Sequence, residues 1–145
     1  MKGKDEQLLL ADICARLPYG VKFASFSESM KNHSEPTTLR QIYYNRDYNA
    51  SNIEGDDNDN ISTIIALMRP YLRPMSSMTK KEERAYKKLK DKVVIKWDEL
   101  SQTTSYTYVE TAKSIDWLNA NHFDYRDLIK KGLALEAPEG MYTTA

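Results

Sequence analysis

The chain has one cysteine, Cys14, so no internal disulfide can staple it, and its stability must come from a packed core in a reducing compartment. Histidine is nearly as scarce: His33 and His122 are the only two, and neither stands at zinc-ligand spacing from the cysteine. Charge of one sign is lacking too, since 21 Lys and Arg face 21 Asp and Glu. A global field for nucleic acid or an anionic membrane surface is thereby not supported, while a local patch remains open. No run approaches the roughly 20 apolar residues of a spanning helix. The stretch Leu8–Ala15 is interrupted by Asp12 and preceded by Asp5 and Glu6, unlike a signal peptide. Walker, GxGxxG, HExxH and GxSxG patterns are missing. The paired carboxylates Asp56/Asp57 and Glu82/Glu83 lie in polar contexts that do not raise a pKa for acid–base work. These absences argue against an enzyme, a cofactor and a membrane, and they predict a soluble protein of the cytoplasm.

What is present is enough to fold. The 145 residues are 41% hydrophobic and include ten Tyr, two Trp and three Phe, which suits one domain over 1–145 with a real core. Residues 4–17 predict a first helix with Leu10, Ile13 and Leu17 on its buried face, Leu9 and Cys14 beside them, and Pro18 as its stop. VKFASF at 21–26 alternates as a strand, and 28–38 reads as a polar connection. LRQIYY at 39–44, the turn 45–47 and a return over 48–53 predict a hairpin. ISTIIALM at 61–68 fits a strand and a short buried helix equally. Pro70 and Pro74 push the next stretch towards extended backbone. Thr79 and Glu82 form a capping box that starts a helix near 80–90, and VVIKW at 93–97 is either a strand or its continuation.

The strongest pattern lies at 107–135. Thr107 and Glu110 have capping-box spacing, with Tyr108, Ala112, Ile115 and Leu118 as the apolar stripe of a long helix. Asp124 reads as the cap of a second helix closed by Gly132. A loosely held tail is expected from about 136. The order of elements predicts an α+β fold: a small antiparallel sheet of three to five short strands packed against an N-terminal helix and C-terminal helices.

Three constellations carry candidate chemistry. In the acidic loop 54–60, Asp56, Asn58 and Asn60 match the first ligand positions of a calcium loop, but Ile61 and Leu67 occupy its glycine and glutamate positions, so a solvated turn is the expectation and no metal is assigned. Arg40, Tyr43, Tyr44, Arg46 and Tyr48 interleave cations with aromatics, as a strand that stacks bases and pairs phosphates would. Lys80, Lys81, Arg84 and Lys88 belong to a basic run that suits phosphate contacts or a solvated helix face.

LLLADICARLPYGVK at 8–22, RPYLRPMSSMT at 69–79 and DWLNANHFDYRDLIKKGLALEAPEGMY at 116–142 resemble a group of uncharacterised small proteins carried by phages, prophages and genomes of Bacteroides-type gut bacteria. The resemblance implies a phage or mobile-element accessory protein in the bacterial host cytoplasm and brings no catalytic residues with it. Together with the missing motifs, it leads to the expectation of a non-catalytic protein that binds a host or phage protein, with counter-defence as one role. The alternative is a nucleotide or nucleic-acid binder using the Arg/Tyr strand and the basic helix. A homo-oligomer is compatible with the many tyrosines.

Overall fold

The computed structural model describes residues 3–47 and 50–142. Helix α1 (Gly3–Arg16) ends at a 3₁₀ turn over Leu17–Tyr19, where Pro18 stops it and Gly20 at φ +68° reverses the chain. The strands β1 (Lys22–Ser27), β2 (Asn32–His33), β3 (Thr37–Asn45), β4 (Ala50–Gly55), β5 (Ser62–Ile64) and β6 (Met68–Pro74) follow. After α2 (Lys80–Leu89) come β7 (Asp91–Asp98) and β8 (Thr103–Val109), then α3 (Ala112–Ala120), β9 (Phe123–Asp124) and β10 (Leu135–Glu136).

The fold is α+β, but its sheet is larger than the three to five strands expected and is not purely antiparallel. Eight strands run in the order β10-β6-β1-β3-β4-β5, with β2 on β1 and β9 on β6. The β10 and β9 pairings with β6 are parallel. The excess over expectation comes from β2, β9 and β10, each two residues long, which is too short for any period to register.

The main core gathers Leu9 and Ile13 of α1, Phe23 of β1, Ile53 of β4, and Met68 and Leu72 of β6, together with Leu128 and Leu133. One face of α1 is not the one expected. Cys14 is exposed, and its place inside is taken by Asp12 and Arg16, a fully buried pair at 2.8 Å. Arg16 also donates to the Phe123 carbonyl oxygen at 2.6 Å, and Arg126 approaches Asp12 at 3.2 Å, so the charges are compensated by elements remote in sequence.

Two corrections concern the 107–135 block. Thr107 is not a cap; it lies in β8 opposite Val93. The helix starts four residues later, where the Thr111 hydroxyl accepts from the Ser114 N–H and the Ser114 hydroxyl accepts from the Thr111 N–H. Thr103–Val109 is Thr- and Tyr-rich, a composition that favours the pleated state over a first helical turn. Of the predicted stripe beyond that point, Leu118 is buried and Ile115 partly so, whereas Ala112 is exposed.

No second helix forms after Asp124. Its carboxylate accepts from the Leu128 and Ile129 N–H groups, as a cap would, but Asp127 at φ +58° breaks the run and the chain continues in turns. Gly132, at φ +75°, takes the left-handed position expected after Lys131.

The segment expected to hang loosely from about 136 is attached as far as Tyr142. Ala137 N–H donates to the Leu72 carbonyl. The Tyr142 hydroxyl donates to the Tyr71 carbonyl at 2.7 Å and accepts from the Lys22 N–H at 2.9 Å. Its ring stacks on His122 at 3.7 Å between centroids.

Burial, and then the Arg16 and Arg73 charges, hold the His122 imidazole down at about pKa 4, against an ordinary 6.5. The unfolded chain therefore binds a proton below about pH 6.5 that the folded chain refuses. Stability should thus fall as the pH drops from 6.5 towards 5, above the range where carboxylates titrate. His122→Asn, which tolerates the φ of +64° at this position, should flatten that slope in urea titrations at stepped pH. An unchanged slope in the variant would assign the acid sensitivity to another group.

Candidate functional site

Helix α2 is fixed at its start by the capping box read from sequence: the Glu82 N–H donates to the Thr79 hydroxyl and the Thr79 N–H to the Glu82 carboxylate, both at 3.1 Å. Thr79→Ala should cost about 1 kcal/mol in thermal or denaturant unfolding, and no change would mean that packing alone sets the helix start. Glu82 also receives two hydrogen bonds from Arg73, at 2.8 and 2.9 Å. Chiefly through Arg73, its carboxyl is held below the usual carboxylate range. The cleft of about 690 Å³ beside it, with Arg73, Glu82, Glu136 and Tyr142 on its walls, consequently offers an ion pair in Glu82 rather than a proton donor.

The inner side of α2 presents Tyr86, which stacks on Trp117 of α3 at 5.7 Å; Trp117 stacks in turn on Phe123, and the Arg73 guanidinium lies over Phe123 at 4.1 Å. This column anchors the root of the next element. Tyr86 donates to Glu110, Lys90 reaches Glu110 at 4.0 Å, and the Thr111 hydroxyl donates to the Leu89 carbonyl at 2.7 Å. The two ends of 91–109 are thereby tied together.

Between those ties, β7 and β8 form a separate two-stranded sheet that pairs with no other strand among the described residues. Every residue of β7 is exposed and only two of β8 are partly covered. Register assigns the faces, because directly opposed residues share one. Lys92 with Tyr108, Val94 with Tyr106 and Trp97 with Thr104 form one face. Asp91, Val93, Lys96 and Asp98, opposite Val109, Thr107, Ser105 and Thr103, form the other. A bulge at Ile95 permits the change of phase along β7. Ile95 is 61% exposed, Trp97 54% and Leu100, at the tip, 100%. An apolar set this open goes beyond the singly scattered apolar residues of an ordinary protein surface.

The basic run joins this arm. Lys80, Arg84, Lys87 and Lys88 fall on the side of α2 away from Tyr86. Lys87 Nζ sits 4.9 Å over the Tyr108 ring and Lys92 Nζ 3.9 Å over Tyr106. Among the described residues, none of Lys80, Lys81, Arg84, Lys87, Lys88 and Lys92 has an ion pair. The cations singled out from sequence are thus free for an anionic partner.

The Arg/Tyr strand fares differently. Arg40 is neutralised by Glu54 at 2.6 Å and Asp57 at 3.0 Å and also donates to the Gly55 carbonyl. The Tyr43 hydroxyl accepts from Asn52 across the β3–β4 hairpin, Tyr44 faces Ser51, and Arg46 is exposed in the turn. Tyr48 lies outside the described residues. These residues belong to the β3–β4 end of the main sheet, whereas α2 packs on α3, so the two halves of the expected binding surface are not joined.

Of the remaining candidates, the acidic loop turns on itself, Asp56 accepting from the Asn58 N–H and Asp59 from the Thr37 hydroxyl. Among the described residues no three His, Cys, Asp or Glu cluster as metal ligands would. The His33 ring lies tilted against Phe26, and Cys14 stands on the outer side of α1. No helix among the described residues is long and apolar enough to cross a membrane.

Sequence reasoning missed Val94, Ile95, Trp97, Tyr106 and Tyr108 as a site. Alternation at 103–109 was the available signal, and the Thr107–Glu110 spacing masked it. Comparison with family models, curated proteins and solved structures gives no match to this chain.

Proposed function

We propose that the chain is a non-catalytic binding protein that docks a partner protein through the β7–β8 arm and the cationic side of α2. One observation carries this reading: a two-stranded arm that leaves Val94, Ile95, Trp97 and Leu100 in water. A partner with an apolar groove ringed by carboxylates would cover the arm and answer the free cations together. The resemblance to proteins of phages and mobile elements of Bacteroides-type bacteria supports a host or phage protein as that partner, and counter-defence in the bacterial cytoplasm as the setting.

Nucleic acid is the second reading, favoured by one specific observation. Tyr106 and Tyr108 share a face two residues apart, about 7 Å, close to the step of an extended single strand. Against it, lysine side chains already lie over both tyrosine rings, and the open aliphatic residues Val94, Ile95 and Leu100 have no use for a base. The protein reading is therefore preferred.

A photo-crosslinking residue at position 97, compared with one at Ser29 in the exposed β1–β2 turn, tests the choice in lysate of a Bacteroides-type host. An adduct with a defined polypeptide from position 97 alone is the expected result. Adducts that appear equally from both positions would sink the proposal. So would binding of an oligothymidylate to the purified protein that weakens steeply with salt.

A further inference from the structure

The two outer edges of the arm are not alike. The β7 edge carries Asp91, Lys92, Lys96 and Asp98 and is interrupted by the Ile95 bulge, the devices that keep edges from pairing. The β8 edge has none of them. TTSYTYV contains no charge and no proline, and its own pairing with β7 has no residue in excess on the β8 side. Meanwhile a lone two-stranded sheet is marginal in water and gains from further strands.

We infer that β8 pairs antiparallel with β8 of a second copy of this chain, giving a two-fold dimer with the continuous sheet β7-β8-β8-β7. Full overlap of the seven residues fixes the register, with Tyr106 opposite its own copy, Ser105 opposite Thr107 and Thr104 opposite Tyr108. The β8 residues themselves bring no charge to this pairing, and β-branched or aromatic residues fill most of it, while the Lys92 ammonium over each Tyr106 lies near the axis. Geometry permits the approach. An antiparallel match sets the root of one arm beside the tip of the other, so the two bodies lie at opposite ends of a strand about 24 Å long. Directly opposed residues share a face, so the Trp97 and Tyr106 faces of both copies merge into one platform. The inference deepens the proposed function by making that platform two-fold, and it rests on the arm being a contact surface.

Sedimentation equilibrium of the full chain over a wide concentration range tests it. The native chain should show a monomer–dimer equilibrium. Ser105→Lys with Thr107→Lys places four ammonium groups around the two-fold axis and should weaken association at least tenfold. Ser105→Glu with Thr107→Glu should do the same, and an equimolar mixture of the two variants should restore a dimer. These positions lie on an exposed hairpin, and an unchanged near-ultraviolet signal from the Tyr86–Trp117 column would show that the body remains folded. A native chain that stays monomeric, a lysine variant that dimerises as tightly as the native chain, or a mixture that fails to associate would each overturn the dimer. Those results leave crosslinking from position 97 intact, whereas failure of the crosslink beside a proven dimer would sink the partner reading alone.

Discussion

Asp12→Ala is expected to remove about 3–5 kcal/mol of folding free energy, a large share of the ~5–15 kcal/mol that holds a domain together. Asp12 and Arg16 are both without solvent exposure. The carboxylate takes Nε at 2.8 Å and Nη2 at 3.1 Å, and among the described residues the Phe123 carbonyl and the Tyr125 ring are what otherwise answer the guanidinium. Removing Asp12 strands a buried guanidinium without its counter-charge. The pair as a whole is a different matter, since taking two charges out of water costs nearly what their attraction returns. Asp12→Ala with Arg16→Met should therefore be more stable than Asp12→Ala alone, because the fully buried guanidinium is gone and only the partly exposed Arg126 loses its carboxylate. Urea unfolding of the native chain, the two single variants and the double variant decides it. A single variant within about 1 kcal/mol of native, or a double variant that loses the sum of both single changes, would contradict the account.

Trp97→Ala should leave the urea midpoint where it is and weaken partner binding by at least about 30-fold, or 2 kcal/mol. The indole is 54% exposed in the free protein and packs in neither core cluster, so the fold loses nothing that it uses. Binding loses a large, rigid anchor of the kind on which interfaces concentrate their energy. Titration calorimetry against the polypeptide captured from position 97, with thermal unfolding in parallel, separates the two quantities. A drop in stability without a drop in affinity would move Trp97 from the contact surface to the scaffold.

How much of this was legible in the chain depended on the reach of each signal. The Thr79–Glu82 box, the stop at Pro18, the β3–β4 hairpin and the strand over VKFASF are local patterns, and the structure keeps them. Asp12 interrupts an apolar run, and although Arg16 stands four residues on, the groups that complete the buried pair, Arg126 beside Asp12 and the Phe123 carbonyl beside Arg16, are more than a hundred residues away. Strands β9 and β10 exist only because β6 offers a free edge, which no property of Phe123–Asp124 or Leu135–Glu136 announces. Thr107 and Thr111 both stand three residues ahead of a side chain able to complete a cap, Glu110 and Ser114 respectively. Tertiary context chose between them: Glu110 is engaged by Tyr86 and by the Ser114 hydroxyl. The cations of α2 were named from sequence, but their neighbours were not, since strand pairing and not spacing brings Tyr108 under Lys87.

The arm leaves the body at Lys90 and rejoins it at Glu110, and those two side chains lie 4.0 Å apart. Neither core cluster draws a residue from the stretch between them. The length, tip and composition of 91–109 can therefore drift without altering how the remainder folds, much as an interchangeable bit fits one handle. Selection acting on such a molecule could retarget what it grips while the architecture behind it stays still.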